Sequence, residues 1–467
     1  MISERKSKNK FAIVSLYLLL IFAFFTCAVG QGIPEPRREH TLNGLTVLLD
    51  NRPSEQNITL FLRVQSGSSF DPANKGGTLA VMADLLFPDS TTHEFIADEL
   101  KGKLETSVSY DSLDVVMSGH ATEFERLVQF LRTALTGNSF TPEDFERVKA
   151  ARLKNLKATQ NTQSAIADLS IASRLYGQFP YGHTPSGTPE SVANILIGDV
   201  VQARERFLYS NNAVLVVSGN INSERVMRGL RQLLGGWRKS DAKVPSSFRQ
   251  AADPDERVLI VDAPGDPKAE LRLAVRGVSR SDKDYYASQV LAEIIRRRWL
   301  IAEPGLSTAQ LRVQSRAFVL PGDFTIGIAA SKDQIGRLIA DTQQTIQSLL
   351  AAPASNEEFV AAKSAAVGRF QSQIGNADGL AAVWLDAETY ELPSLQSQID
   401  SFNSVKSEDV LRVASRIFKK RPMAVIVAGN KDELTKALTA DQKLKVQTAA
   451  LPAPVKPIES RTIPAKP

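Results

Sequence analysis

The amino-acid sequence contains two related halves, and this duplication constrains the fold more than any other feature. The segment FTPEDFERVKAARLKNLK parallels ASNEEFVAAKSAAVGRFQ, with Phe145 against Phe359 and Lys149 against Lys363, an offset of 214 residues. Later in each half, NAVLVVSGN parallels MAVIVAGN with an offset of 210 residues. Two matches in the same order and at nearly the same separation predict a repeated unit of roughly 200 residues.

Each half mixes apolar stretches typical of strands with amphipathic stretches typical of helices. In the first half the predicted strands are 45–50, 58–67 and 113–120, and the predicted helices are 121–135 and 142–160. In the second half RVLIVDAP, ELRLAVRG and FTIGIAAS read as strands, and KDYYASQVLAEIIRRRW and KDQIGRLIADTQQTIQSLL read as helices. Because these elements do not alternate regularly, the predicted class is α+β, with two homologous, pseudo-duplicated units that each pack an antiparallel-rich sheet with helices.

Length and composition place the boundaries of the units. A chain of 467 residues exceeds what one ordinary core holds. We expect an N-terminal unit over 36–240 and a C-terminal unit over 256–438, joined through the polar stretch 236–257. The end of the chain, 450–467, is rich in proline and is expected to be a disordered tail.

The first thirty residues have the pattern of an export signal. A basic start, MISERKSKNK, precedes the apolar run FAIVSLYLLLIFAFF, and the small residues Ala28 and Gly30 follow at the spacing that a signal peptidase reads. We therefore expect a cleaved signal peptide over 1–30 and an exported protein, periplasmic or secreted. The alternative is an uncleaved membrane anchor formed by residues 11–29, which approach the length that spans a bilayer.

Charge and cysteine content exclude two kinds of site. The formal net charge is +5, and the expected leader accounts for three of these charges through four basic residues and one glutamate. The remaining chain is close to neutral, so a nucleic-acid partner is not predicted. Cys27 is the only cysteine and lies in the leader. The processed protein can therefore form no disulfide and no thiolate metal site.

Several strings occur together in an order that resembles one family. They are TLNGLTVLLD, VQSGSSFDPANKGGTLAVMADLLF, FPYGHTPSGTPESV, NAVLVVSGN, RVLIVDAPGDPKAELRLAVRGVSRSD and MAVIVAGN. Together they resemble the inverzincin peptidases, the family of insulinase, pitrilysin and the mitochondrial processing peptidase, over about residues 39–438. The resemblance implies α+β units that close around a peptide, two of them in a bacterial chain of this length.

The resemblance also implies where a zinc site would lie. Active members carry HxxEH on a helix, where two histidines bind Zn²⁺ and the glutamate accepts a proton from the metal-bound water. Aligned on Gly77 and on the LLF that follows, these positions hold Ala80, Ala83 and Asp84, and the third-ligand position falls on or near Asn155. One carboxylate cannot build a site that needs three protein ligands, so no catalytic residue, no metal and no cofactor is predicted.

Other catalytic centres are not supported by the residue pattern. The four histidines lie too far apart in sequence to pair on one helix; they are His40, His93, His120 and His183. His93 begins HEFIAD, but Ala97 stands where HExxH needs its second histidine. No G-x-S-x-G nucleophile motif occurs either.

A non-catalytic role remains compatible with the family. Partner subunits in bacterial members supply an arginine and a tyrosine from the second half, and Arg298 matches the arginine while Thr308 stands at the tyrosine position. The alternative for Arg298 is a solvated basic helix end. Peptide substrates in the family add as a strand to a sheet edge, which corresponds here to 104–116 and contributes Thr106, Ser107 and Val108.

These observations lead to one favoured function and two alternatives. We predict a non-catalytic subunit that pairs with an HxxEH-bearing zinc metallopeptidase and forms half of a peptide-binding chamber. The first alternative is a zinc metalloendopeptidase whose site is not recognised in the sequence. The second is a stand-alone peptide-binding or scaffold protein.

Overall fold

The computed structural model of the chain describes most of both halves. The described residues are 35–137, 140–177, 179–242, 250–263, 265–305, 310–419, 421–439 and 444–449. The expected leader with Cys27, Thr308 and the expected tail over 450–467 lie outside them. In the part that is described, no helix is both long enough and apolar enough to cross a membrane.

The elements of the first half lie close to their predicted positions. Its strands are β1 (Arg37–His40), β2 (Thr46–Asn51), β3 (Asn57–Val64), β4 (Leu104–Val108), β5 (Leu113–His120) and β6 (Ala213–Gly219). Its helices are α1 (Thr78–Asp84), α2 (Ser90–Asp98), α3 (Phe124–Thr136), α4 (Pro142–Thr159), α5 (Gln163–Tyr176), α6 (Pro189–Ala193), α7 (Ile197–Phe207) and α8 (Ser223–Leu234).

The second half repeats this order with small differences. Its strands are β7 (Val258–Asp262), β8 (Lys268–Arg276), β9 (Leu311–Ser315), β10 (Asp323–Ser331), β11 (Ala424–Gly429) and β12 (Val446–Ala449). Its helices are α9 (Tyr285–Ala302), α10 (Lys332–Ala351), α11 (Asn356–Ile374), α12 (Ala377–Thr389), α13 (Leu395–Ser404), α14 (Ser407–Phe418) and α15 (Lys431–Thr439).

Each half builds one six-stranded mixed sheet, and the two sheets share a common strand order. The first runs β1-β2-β6-β3-β5-β4 and the second β12-β7-β11-β8-β10-β9. In both, one central pair is parallel (β2 with β6, β7 with β11), and the strands that follow toward β4 and β9 are antiparallel. The two sheets differ in the strand that lies next to β2 or β7 at the edge. In the first sheet it is β1, which precedes β2 in the chain, and in the second it is β12, which follows β11. The predicted α+β class with two homologous units is confirmed.

Local sequence explains why α4 begins where it does. The Thr141 hydroxyl accepts a hydrogen bond from the Asp144 amide, and the Asp144 carboxylate accepts one from the Thr141 amide, both at 3.1 Å. Pro142 occupies the first helical position, where a missing N–H is harmless. These contacts fix the start of the helix that later carries Arg147, Arg152 and Asn155.

The halves are joined because each lends a helix to the sheet of the other. Helix α5 packs on the second sheet, where Ile171 and Leu175 share an apolar cluster with Ala274 and Ile426. Helix α12 in turn lies against β6 of the first sheet. The apolar faces of both helices are therefore covered only when the two halves are together.

Ion pairs accompany both exchanged helices. Arg272 of β8 donates from Nε to Asp168 of α5 at 2.6 Å, and Arg63 of β3 donates from Nη1 to Asp386 of α12 at 2.6 Å. Arg272 is 2% exposed and Arg63 is 9% exposed. Because buried guanidinium groups need acceptors, these pairs favour the joined arrangement of the halves.

Candidate functional site

Helix α1, which follows the two glycines of GGTLAVMADLLF, is preceded by a residue that has to be glycine. Gly77 has a φ of +93°, and a Cβ there would lie 2.8 Å from the Ser186 carbonyl oxygen. The Asp71 carboxylate accepts hydrogen bonds from the amides of Gly77 at 2.7 Å and Leu79 at 2.9 Å. This start fixes the directions in which the residues up to Asp84 point.

Two of the three HxxEH-equivalent positions are part of the core. Ala80 is 3% exposed and Ala83 is 1% exposed. A methyl group offers neither a lone pair to a metal nor a base to a water molecule, so these positions contribute only packing. Asp84, at the end of the helix, is the one HxxEH-equivalent residue with a chemically useful side chain.

The Asp84 carboxylate is bound by an arginine from α4. Arg152 donates from Nε to Asp84 Oδ2 at 2.7 Å, and its Nη2 lies at the same distance from that oxygen. Nη2 also donates to the Ala80 carbonyl at 3.2 Å, and Nη1 lies 3.5 Å from the Ser186 carbonyl. Burial raises the pKa of Asp84, and the charge of Arg152 opposes that rise. The pair holds the end of α1 against α4.

A cavity of about 460 Å³ opens beside this ion pair, between α1, α4 and β4. Asp84, Asn155 and Thr106 all contribute to its wall, so residues predicted from three separate stretches of sequence come together. Arg147 and Arg152 line it as well. The arrangement offers hydrogen-bond donors and positive charge to a ligand.

Strand β4 forms the edge of the first sheet next to the cavity. Ser118 N donates to Lys103 O, and Ser109 N donates to Ser112 O, at the two ends of the β4–β5 ladder. In an antiparallel pair, alternate residues bond inward, so Glu105 and Ser107 bond β5. Leu104, Thr106 and Val108 therefore point their amide and carbonyl groups away from β5. Among the described strands, none pairs with that side.

The resemblance implies that active members hold zinc at this end of the helix. Ala80 and Ala83 have no ligand atoms, and the Asp84 carboxylate is held by a guanidinium whose charge repels a cation. Within the described ranges, no group of three histidine, cysteine, aspartate or glutamate side chains is arranged to hold a metal ion. The residues present do not fit the zinc site of the family.

The remaining predicted residues that the structure describes lie in different parts of the fold. The Arg298 guanidinium donates from Nε to Glu358 Oε1 at 2.6 Å and from Nη1 to Ser348 at 2.9 Å, which holds it between helices of the second half. Ser107 lies on β4 with an exposed side chain, whereas Val108 packs against the first core. Thr308 falls outside the described residues. A substrate contact by Arg298 stays a prediction.

Sequence reasoning missed the two arginines of the cavity. Arg152 precedes Asn155 by three residues, and in a helix this spacing places two side chains on the same face. That spacing was a usable signal once Asn155 had been singled out. Arg147 gave none, because its position in the cavity depends on how α4 lies against Pro88, whose carbonyl it binds at 2.6 Å.

Comparison with known proteins identifies the relatives of the chain. A family model described as Peptidase M16 inactive domain matches residues 195–366. The chain is 22% identical over 284 residues to a probable mitochondrial-processing peptidase subunit beta of Schizosaccharomyces pombe, covering 58% of this chain and 62% of that protein. It is 22% identical over 210 residues to the non-peptidase homolog YmxG of Helicobacter pylori, covering 44% and 48%. The chain thus matches about half to three-fifths of the length of these relatives.

Solved structures share the fold over a larger part of the chain. A protease from Helicobacter pylori has a TM-score of 0.75 at 16% identity and covers 85% of this chain and 99% of its own. A peptidase M16 inactive domain from Pseudomonas fluorescens has a TM-score of 0.74 at 18% identity, covering 85% and 98%. At this identity the likeness shows the fold of the chain and not its chemistry.

Proposed function

We propose that this chain, a member of the inverzincin (M16) family of peptidases, is non-catalytic and binds an extended peptide. The observation that carries this proposal is the Asp84–Arg152 ion pair. It occupies the end of the helix on which active members hold their metal, and it stands beside a sheet edge that is free to bind a strand. Such a site retains binding and lacks the groups for hydrolysis.

Peptide binding at β4 requires no catalytic side chain. The amide and carbonyl groups of Leu104, Thr106 and Val108 offer main-chain hydrogen bonds to an added strand. The side chains of the same three residues face the helices, so a bound peptide would direct alternate side chains toward the cavity. These two features support an extended peptide as the ligand.

A catalytic partner is the second part of the proposal. Two matched relatives carry names that describe subunits, a mitochondrial-processing peptidase subunit beta and subunit 1 of the yeast cytochrome b-c1 complex. By analogy we propose that this chain pairs with an HxxEH-bearing relative and supplies half of the peptide chamber. The pattern of residues 1–30 supports export to the periplasm or beyond, so the partner is expected there too.

The test is zinc content and peptidase activity of the purified chain, alone and mixed with an HxxEH-bearing relative from the same source. The expected result is no stoichiometric zinc in this chain and cleavage of a quenched fluorescent peptide that appears or rises only in the mixture. A matched mixture with the relative's HxxEH glutamate replaced by glutamine should be inactive, because all chemistry is assigned to the partner.

Other outcomes separate the alternatives. One zinc per chain, with activity of the chain by itself, would establish the zinc endopeptidase and overturn the proposal. Peptide binding with no effect on any relative would instead identify a stand-alone binding protein or scaffold. Size-exclusion chromatography with light scattering, run on the same mixtures, reports whether the two chains associate.

A further inference from the structure

The side chains that line the cavity beside α1 include two guanidinium groups and one carboxylate. Among the described residues that line the cavity, Asp84 is the only acidic one, and it is paired with the Arg152 guanidinium. Arg147 adds a second guanidinium, which is bound outside the cavity by Asp89 and Asp144. The wall therefore presents no free carboxylate to a ligand.

The second half of α4 strengthens this asymmetry. After Glu146 the helix carries five basic residues and no acidic one; they are Arg147, Lys149, Arg152, Lys154 and Lys157. The side chains of Lys154 and Lys157 are exposed, and in the described part of the chain neither forms an ion pair. Only Arg147 and Arg152 of these line the cavity, and the three lysines lie elsewhere on the same helix. Charges of one sign in and around a cavity raise the local concentration of the opposite charge.

Neutral donors complete the wall. The Asn155 amide and the Thr106 hydroxyl both line the cavity, and neither has a hydrogen-bond partner among the described residues. Arg152 contacts Asp84 through Nε and Nη2 and also donates to the Ala80 and Ser186 carbonyls. At least one of the five N–H donors of its guanidinium is left for a ligand. A carboxylate accepts hydrogen bonds from each of these groups.

We propose that this cavity binds a carboxylate of an extended peptide added to β4, so the preferred ligands are peptides with an acidic group at one fixed position. The inference rests on the proposed peptide binding. The peptide side chains that share a face with Thr106 point toward the cavity, and a volume of about 460 Å³ accepts an acidic side chain. The same chemistry is available from an aspartate, a glutamate or the terminal carboxylate of the peptide.

The experiment measures binding of fluorescent peptides by anisotropy, using the full chain. An amidated host peptide of alternating apolar and neutral polar residues is scanned with Glu, Gln and Lys at each position in turn. We expect Glu to bind about threefold to fivefold more tightly than Gln at one position, and Lys to bind more weakly than Gln there. The free-acid form of the host peptide tests the terminal carboxylate as the source.

Charge variants locate the effect. Arg147→Gln combined with Lys157→Gln should abolish the preference for Glu while binding of the Gln peptide is retained. Lys436→Gln, an exposed lysine on α15 in the other half, is the matched control and should leave the preference unchanged. Circular dichroism of each variant confirms that the fold is intact.

The outcomes distinguish failure of this inference from failure of the proposed function. A preference shown only by the free acid supports the cavity and assigns the carboxylate to the peptide terminus. Peptides that bind with no difference between Glu and Gln at any position, or with Gln tighter, overturn the acidic preference and leave peptide binding standing. Absence of binding by every peptide, with the catalytic relative present or absent, overturns both.

Discussion

Lys149 and Lys363 make the same contacts in the two halves of the protein. The Lys149 ammonium donates to the carbonyls of Ala193 and Ile195, and the Lys363 ammonium donates to those of Asn403 and Val405. Each lies over the ring of the phenylalanine one turn earlier, at 5.5 and 5.7 Å from the ring centroid. The duplicated sequence therefore preserves a way of anchoring a long helix to the chain that follows it.

Replacing either lysine with methionine should destabilise the protein by a similar amount. Both changes keep the aliphatic stem and remove the donor, which leaves two carbonyls without a partner and costs about 1–2 kcal/mol. Urea denaturation of Lys149→Met and Lys363→Met measures the free energy of unfolding. Lys154→Met, at an exposed position on the same helix as Lys149, is the control and should change it by less than about 0.5 kcal/mol. Unequal costs would contradict the equivalence of the two contacts.

Arg272 should contribute much more to stability than Arg312, although both bind Asp168. Arg272 is 2% exposed and also donates to Glu270 and Ser164, whereas the Arg312 side chain is 45% exposed. Arg272→Met removes a buried guanidinium together with its bonds to Asp168, Glu270 and Ser164, and is expected to cost about 1–3 kcal/mol. Arg312→Met should cost no more than about 0.5 kcal/mol. Similar losses in a denaturation series would mean that the exchanged helix is held by other contacts.

The Asp84–Arg152 pair should stabilise the folded protein, and the stability of the fold should not depend on a metal. Arg152→Ala removes the donor that binds the partly buried Asp84 carboxylate and the Ala80 carbonyl, which is expected to cost about 1–3 kcal/mol. Arg152→Lys restores the charge but not the forked geometry, so it should recover part of the loss. Addition of EDTA should leave the unfolding midpoint of all three proteins unchanged. A midpoint lowered by the chelator would indicate a metal that stabilises the fold.

Proline substitutions in β4 should separate peptide binding from stability. Thr106→Pro removes an amide that points away from the sheet, so the protein should remain folded while the added peptide loses affinity. Ser107→Pro removes an amide that bonds β5 and should destabilise the protein. Thr106→Val keeps the amide and controls for loss of the hydroxyl. If the folded Thr106→Pro variant kept its affinity for the peptide, the peptide would have to bind at a surface other than β4.

His183 should make the protein less stable in mild acid. Burial lowers the pKa of His183, and the contact of its Nδ1 with the Thr184 carbonyl at 3.1 Å only partly offsets this effect. Below a pH of about 6.5 the unfolded chain takes up a proton that the folded protein resists, so stability present above that pH is lost as pH falls. Urea titrations from pH 7.5 to 5 should show a smaller loss for His183→Gln than for the unchanged protein.

The sequence by itself determined the repeat and most of the local structure. The apolar stretch 113–120 predicted β5 at its observed bounds, and the helix predicted over 142–160 matches α4 to within one residue. It also determined that Ala80 and Ala83 cannot act as ligands, because side-chain identity alone decides that point. Asp84, Asn155 and Thr106 were selected by resemblance, and the fold brings them to one cavity.

Only the tertiary structure decided what surrounds those residues. Arg152 lies 68 positions from Asp84, and nothing local to either residue specifies that the guanidinium meets the carboxylate. The sequence also did not indicate that α5 packs on the second sheet and α12 on the first. Periodicity reveals that a helix has an apolar face, but the sheet that covers that face is chosen by the packing of the whole chain.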